Sequence, residues 1–225
     1  MTRSLFITSY GVKIGKKGNR LVVYSKSDKS EYALSDIDEL VIVGGGKTIS
    51  SDLIELCVNE RLPIFFTKWN GSPYASIFPL IISGTVKRRR GQYNAFNTNL
   101  GLEIAKKFVL GKLHNQANIL KLWAKSMLKT DEVTSMFIKN SAKEIMQLIN
   151  KLKEIKGERI NTEKRLEIMS IEARGTEIYW IWFGKQISKS ALFPGRVKRG
   201  AKDPVNALLN LGYSILLRKV FTAIL

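Results

Sequence analysis

The sequence predicts an α+β protein. A small N-terminal β-sandwich domain (residues 1–85) is joined by a basic linker (86–92) to an all-α helical-bundle domain (93–225). Three observations carry this expectation. As far as Leu80, short runs rich in β-branched and aromatic residues alternate with polar or glycine-containing turns. Beyond Phe96 the apolar residues recur at three- and four-residue spacing, which is the period of a helix. Charge divides at the same place: residues 1–85 hold ten basic and eight acidic side chains, whereas 86–225 hold twenty-seven and eleven.

In order, Ser4 to Ser9, Gly11 to Gly15, Arg20 to Ser25, Glu31 to Leu34 and Ile37 to Val43 read as five short strands. The turns Lys16-Lys17-Gly18-Asn19 and Ser27-Asp28-Lys29-Ser30 separate them. Gly44-Gly45-Gly46 reads as a turn, because no Gly-Lys-Ser/Thr follows as a phosphate loop requires. A helix capped by Ser50 or Ser51 comes next, with Leu53, Ile54, Leu56, Cys57 and Val58 on it. Pro63 to Thr67 and Tyr74 to Leu80 complete the strands around the turn Trp69-Asn70-Gly71-Ser72-Pro73.

Val86 to Tyr93 contains Arg88, Arg89 and Arg90, three adjacent cations beside an aromatic, which suit a DNA backbone if they are not simply a solvated linker. Asn97 or Thr98 can cap a helix whose inward beat is Leu100, Ile104, Phe108, Leu110, Leu113, Ala117, Leu120 and Trp123. A further helix over 132–156, which Asp131-Glu132 would cap, is expected to turn Met136, Phe137, Ile145, Leu148, Ile149 and Leu152 inward. From Arg165, Leu166, Ile168, Met169, Ile171, Ile178, Trp180, Ile181 and Phe183 predict a helix buried over much of its circumference. Glu172 interrupts that face, with Gly175, Thr176 and Tyr179 at i+3, i+4 and i+7 around it, so an acid sits in a shallow notch. The bland reading of Glu172 is a half-buried helix acid paired with an arginine.

The basic loop Phe193 to Lys202 leads into Asp203-Pro204, an N-cap followed by a residue that suits the first helical position. Arg196, Lys198, Arg199 and Lys202 directly precede the positive end of that helix, a combination that suits phosphate. Asn206 in the first turn is a candidate for orienting water or phosphate, or for a second capping role. Tyr179 and Tyr213 are expected to border the site.

The chain has 225 residues, a formal net charge of +18 and 44% hydrophobic residues, enough for a packed core and indicative of a polyanionic partner. No apolar run is seen to approach the roughly 20 residues that span a bilayer, and Met1-Thr2-Arg3 does not lead into a signal peptide, so a cytoplasmic protein without membrane contact is expected. Cys57 is the single cysteine and reads as a buried, inert thiol. His114, the only histidine, reads as a surface or packed residue. Trp123, Trp180 and Trp182 read as core.

Ile171 to Trp180 (I-E-A-R-G-T-E-I-Y-W), Phe193 to Arg199 (F-P-G-R-V-K-R) and Asp203 to Ser214 (D-P-V-N-A-L-L-N-L-G-Y-S) occur in that order. Upstream stand D-I-D-E-L-V-I-V-G-G-G, T-I-S-S-D-L-I-E-L-C and I-F-F-T-K-W-N-G. Together these motifs resemble the CRISPR-associated spacer-acquisition integrases, metal-dependent DNases of the adaptation machinery. The resemblance implies that the protein inserts new spacers into a CRISPR array and works with Mn²⁺ or Mg²⁺. It also implies a homodimer through the β-domain and a small ferredoxin-like Cas subunit as partner. It makes Glu172 a metal ligand and catalytic residue. The family's histidine and aspartate ligands lie in segments beyond the Asp203 helix, so the chain reads as C-terminally truncated relative to the family. Either it is part of a longer protein, or it is a short product that binds DNA and dimerises without catalysis. These residues alone are expected to be inactive.

Overall fold

Alternation of buried and exposed positions along the strands sets the architecture of the N-terminal part. The computed structural model describes residues 3–26, 28–79, 85–188 and 190–224. Ser27 of an expected turn, Leu80 of the expected last strand, and Met1, Thr2 and Leu225 lie outside the described residues. The strands are β1 (Ser4–Ile7), β2 (Lys13–Lys17), β3 (Arg20–Tyr24), β4 (Lys29–Ala33), β5 (Glu39–Val43), β6 (Thr48–Ile49), β7 (Ile64–Thr67) and β8 (Pro73–Ile77). One sheet has the order β1-β5-β7-β8 and the other β4-β3-β2-β6. The first is parallel from β1 to β7, with Leu5 opposite Leu40 and Leu40 opposite Ile64, and closes on antiparallel β8.

Ile7, Leu40, Ile42 and Ile64 of the first sheet share one core with Val12, Ile14 and Leu21 of the second side. Helix α1 (Ser51–Asn59) adds Leu53 and Cys57 to it, and Ser50 caps that helix by accepting from the Leu53 amide at 3.3 Å. The expected sandwich is therefore present, with β6 as a short strand that composition did not mark. Lys16 and Lys17 belong to β2, and the expected four-residue turn shrinks to Gly18-Asn19. Gly44 and Gly46 adopt left-handed φ values of 72° and 75°, and a Cβ on either would collide with the ring of Trp69 or Tyr10. The triple glycine is thus a turn that lets two aromatics lie flat on backbone.

The later helices are α2 (Thr85–Phe96), α3 (Asn99–Met127), α4 (Glu132–Glu154), α5 (Thr162–Ile187) and α6 (Pro204–Ile224). Residues 86–92 are therefore helical, and the expected linker is part of α2. The chain divides into two compact units, Met1–Ser83 with Lys198–Leu225, and Gly84–Val197. This differs from the expected 93–225 helical domain: α6 belongs with the strands.

In the helical unit α3, α4 and α5 enclose Leu102, Leu113, Leu120, Ile138, Ile145, Ile149, Ile168 and Ile178. Asp131 caps α4 by accepting from the Thr134 amide at 2.9 Å, and Asn161 caps α5 by accepting from Lys164 at 2.8 Å. Several residues expected inward are exposed: Leu100, Ile104 and Phe108 on α3, Met136 and Phe137 on α4, and Leu166, Met169 and Ile181 on α5. Each helix has neighbours on only part of its circumference, so an apolar residue about 100° off the central stripe faces water.

In the strand unit α6 covers the outer face of the first sheet. Arg218, 1% exposed, pairs with Glu39, also 1% exposed, and lies 5.4 Å from the ring of Phe6. Ser214 donates to the Gly71 carbonyl, and Phe221 meets Phe78 edge to face. The helix is inverted: Asn206, Ser214 and Arg218, at multiples of four, are buried, while Leu208, Leu216, Leu217 and Val220 are exposed. By length and composition it could cross a membrane, with mean hydropathy 1.3 over its most apolar window, which corrects the expectation that no run comes close. Arg218 lies within this helix and ties it to the sheet.

Candidate functional site

Glu172 sits on α5 facing α3. Its Oε1 takes an ion pair from the Lys112 ammonium and a hydrogen bond from Thr176 Oγ1 at 3.3 Å. Among the described residues its other oxygen accepts nothing. The side chain keeps 32% of its surface and Lys112 keeps 40%, so the pair lies at a solvent edge. The bland reading paired this acid with an arginine; the partner found is Lys112, on a different helix.

The two helices run in the same direction. Lys112 meets Glu172, Trp123 stacks on Tyr179 at 6.1 Å between centroids, and Gln186 donates to the Met127 sulfur. Their separation is small beside the acid because residue 175 is glycine. A Cβ there would come within 2.4 Å of Leu113 Cδ2, and Leu113 is fully buried. This close approach lets a lysine on one helix reach a glutamate on the other. Lys112 carried no motif signal, and only its place on the face of α3 that meets α5 could have marked it.

Tyr179 lies two turns along the same face of α5, half-buried in a cluster with Trp123, Trp180 and Phe183. It reads as packing. Phe193 extends the cluster, and the Arg196 guanidinium lies 5.9 Å from the Trp180 ring while donating to the Val197 carbonyl at 2.6 Å. The loop arginine is thereby seated on an aromatic face. Trp182 is buried and donates to Ser141 Oγ at 2.7 Å, as expected of a core tryptophan. His114 is half-buried on α3.

Arg88, Arg89 and Arg90 are exposed on α2. Helical geometry turns successive side chains by about 100°, so the three fan around the axis instead of lining one edge. Lys198, Arg199 and Lys202 are exposed and belong to the strand unit, as do Asn206 and Tyr213. Asn206 is fully buried: its amide donates to Asp203 Oδ1 at 2.8 Å and its side chain to Oδ2 at 2.9 Å. It serves the cap of α6. These bonds hold the Asp203 carboxyl below its ordinary 3.8. Tyr213 is half exposed on α6.

The model for CRISPR associated protein Cas1 matches residues 5–225. This chain belongs to the Cas1 family. Among relatives, the CRISPR-associated endonuclease Cas1 of Korarchaeum cryptofilum is 30% identical across 98% of this chain and 65% of its own length. The CRISPR-associated endonuclease Cas1 1 of Archaeoglobus fulgidus is 32% identical over the same shares. The chain thus spans just under two thirds of these Cas1 relatives. Of solved structures, a Cas1 protein from Thermotoga maritima superposes with a TM-score of 0.72 at 19% identity, covering 98% of this chain and 64% of that one. A casposase bound to integration product gives 0.70 at 24% identity, covering 99% and 61%. Both share the fold.

Taken alone, the residues described here do not make a divalent-metal site. A hard cation needs several oxygen or nitrogen donors, and no group of three His, Cys, Asp or Glu side chains converges among the described residues. Glu172 offers one carboxylate, with an ammonium already beside it.

Proposed function

We propose that this Cas1-family chain is part of a cytoplasmic DNA endonuclease and integrase that inserts new spacers into a CRISPR array. Membership of the family over residues 5–225 is the observation that carries the proposal, supported by relatives named as CRISPR-associated endonucleases. Within it, Glu172 is the carboxylate assigned to the chemistry: it is partly exposed, and it is not needed to close any core. It supplies one ligand of a set for Mn²⁺ or Mg²⁺ that the described residues do not complete. Such an ion, when bound, would supply charge stabilisation at a phosphodiester.

The protein's own basic side chains serve the DNA. Arg88, Arg89, Arg90, Arg196, Lys198, Arg199 and Lys202 neutralise phosphates, and the 27 basic against 11 acidic residues after Thr85 supply the wider field. Arg196 is best prepared for this, since its seat on Trp180 reduces the freedom it would lose on binding. The strand unit pairs two copies into a homodimer, and a small ferredoxin-like Cas subunit completes the assembly. A solved Cas6–RT–Cas1–Cas2 complex contains a chain of the same fold.

One observation favours a second reading, a DNA-binding and dimerising module without catalysis: among the described residues Glu172 has no second carboxylate or histidine grouped with it and is paired with Lys112. Labelled branched DNA with Mn²⁺ separates the two. On the first reading, the product of the complete open reading frame joins or cuts that DNA and Glu172→Gln abolishes the product. On the second, DNA is bound equally well and no Glu172-dependent product forms.

A further inference from the structure

We propose that the outward face of α2 is a stacking platform for single-stranded DNA, with Tyr93 and Phe96 under the bases and Arg89 and Arg90 on the flanking phosphates. The proposal rests on the reading of the chain as a DNA-acting Cas1 protein and adds a base-contacting surface to it. From Val86 to Phe96 every residue is exposed except Ala95, which is half-buried. At about 100° per residue, Ala95 shares its side of the helix with Arg88 and Gly91. The opposite side carries Val86, Arg89, Arg90, Tyr93 and Phe96. Tyr93 keeps 79% of its surface, Phe96 66% and Val86 65%, so three apolar groups face water on the side away from the one half-buried residue.

Charge and geometry select the occupant. No acidic residue occurs between Glu60 and Glu103, so α2 is an acid-free cation that a polyanion neutralises and a second copy of itself repels. In a two-fold contact Arg89 and Arg90 of one copy would meet the same arginines of the other. A membrane-surface helix sorts its cations and its apolar groups to different sides. Here Arg89 lies between the two rings around the axis, and Arg90 lies beside Tyr93. Interleaved guanidinium groups and rings match a strand that offers phosphates and unstacked bases in alternation. Blunt duplex DNA offers only the phosphates, because its bases already stack on one another. Tyr93 and Phe96 are three residues apart, which sets their Cβ atoms about 5–6 Å from each other, so one ring can serve each of two neighbouring bases.

The test is fluorescence anisotropy of a labelled oligothymidylate strand and of a blunt duplex of the same length, each titrated with the complete open reading frame product. Tyr93→Ala should weaken strand binding about tenfold and leave duplex binding unchanged. The slope of log affinity against log salt should stay as it is, because no phosphate contact is lost. Tyr93→Trp should hold the strand at least as tightly as the wild type does, whereas Tyr93→Leu, which keeps bulk without a ring, should behave as Tyr93→Ala. Should Tyr93→Ala melt early, Phe96→Ala carries the same comparison. Equal losses on strand and duplex, or an unchanged affinity for the strand when Tyr93→Ala and Phe96→Ala are combined, overturn the proposal and leave the DNA reading in place. If that double variant keeps strand binding but loses self-association or binding to phosphatidylserine vesicles, the face belongs to a second copy or to a membrane surface, and the proposal equally fails. A wild-type protein that binds neither probe removes the DNA reading and the proposal with it.

Discussion

Three single residues show how surroundings decide what a side chain does. Lys106 is 5% exposed, and its ammonium donates to the carbonyls of Ile155 at 2.7 Å and Lys153 at 3.3 Å, closing the C-terminal end of α4. Lys106→Met orphans these carbonyls and should cost about 2 kcal/mol, read as a fall of several degrees in the melting of the helical unit. Cys57 is buried in the strand unit, and burial pushes its thiol up to about 11. It should resist thiol reagents at pH 8 in the native protein and react once the protein is denatured. Asp203 has the opposite shift. Because its folded-state carboxyl lies below 3.8, its contribution to the start of α6 is fully present above that value and lost as pH falls through the lower, folded one. Amide exchange at Asn206 should accelerate in that acid window, and Asp203→Ala should make it fast already at pH 6. The cap was legible in the sequence because Asp-Pro is a local signal. Lys106 and Lys112 were not, since nothing local separates a lysine that reaches a carbonyl or a glutamate from one in water.

At the scale of elements, burial follows the neighbours a helix acquires, and this is where periodicity alone misassigned residues. Helix α6 buries Asn206, Ser214 and Arg218 and exposes leucines, the reverse of an ordinary amphipathic helix. Its polar stripe has a buried carboxylate to meet: Glu39, from β5, accepts from the Arg218 guanidinium at 3.4 Å and from Ser4 Oγ at 2.6 Å. Arg218→Met should destabilise the strand unit by about 2–3 kcal/mol, because buried Glu39 loses its guanidinium and keeps only the Ser4 hydroxyl at 2.6 Å and the Lys219 ammonium at 3.8 Å. The double variant with Glu39→Gln should recover much of that loss, as chemical denaturation would reveal. The strands were legible from their β-branched runs, whereas the Glu39–Arg218 pairing spans most of the chain and left no trace in local sequence. In the helical unit, Gly175→Val should cost about 1–3 kcal/mol by forcing Leu113 out of place. The glycine was noted as part of a notch beside Glu172; its more specific use is to admit a neighbouring helix.

For the whole molecule, the division of charge was legible from composition, but the division into units was not. The sequence joined α6 to the other helices by kind, whereas the chain groups it with the strands across a long separation. The site was legible only as far as its motif: Glu172 is where the periodicity broke, and its lysine partner came from another helix. DNA binding should weaken steeply with salt, each lost phosphate contact lowering the slope of log affinity against log salt by about one. Because Arg88, Arg89 and Arg90 fan around α2, replacing all three should lower it by about two rather than three. The account as a whole assigns Glu172 to chemistry and not to folding or affinity. The most direct measurement compares wild type and Glu172→Gln, both from the complete open reading frame, for Mn²⁺-dependent processing of branched DNA, DNA affinity and melting temperature together. The expected result is a rate lower by about 10² or more with affinity and melting unchanged. A variant that processes DNA at the wild-type rate, or one that loses activity only because it melts early or no longer binds DNA, would contradict it.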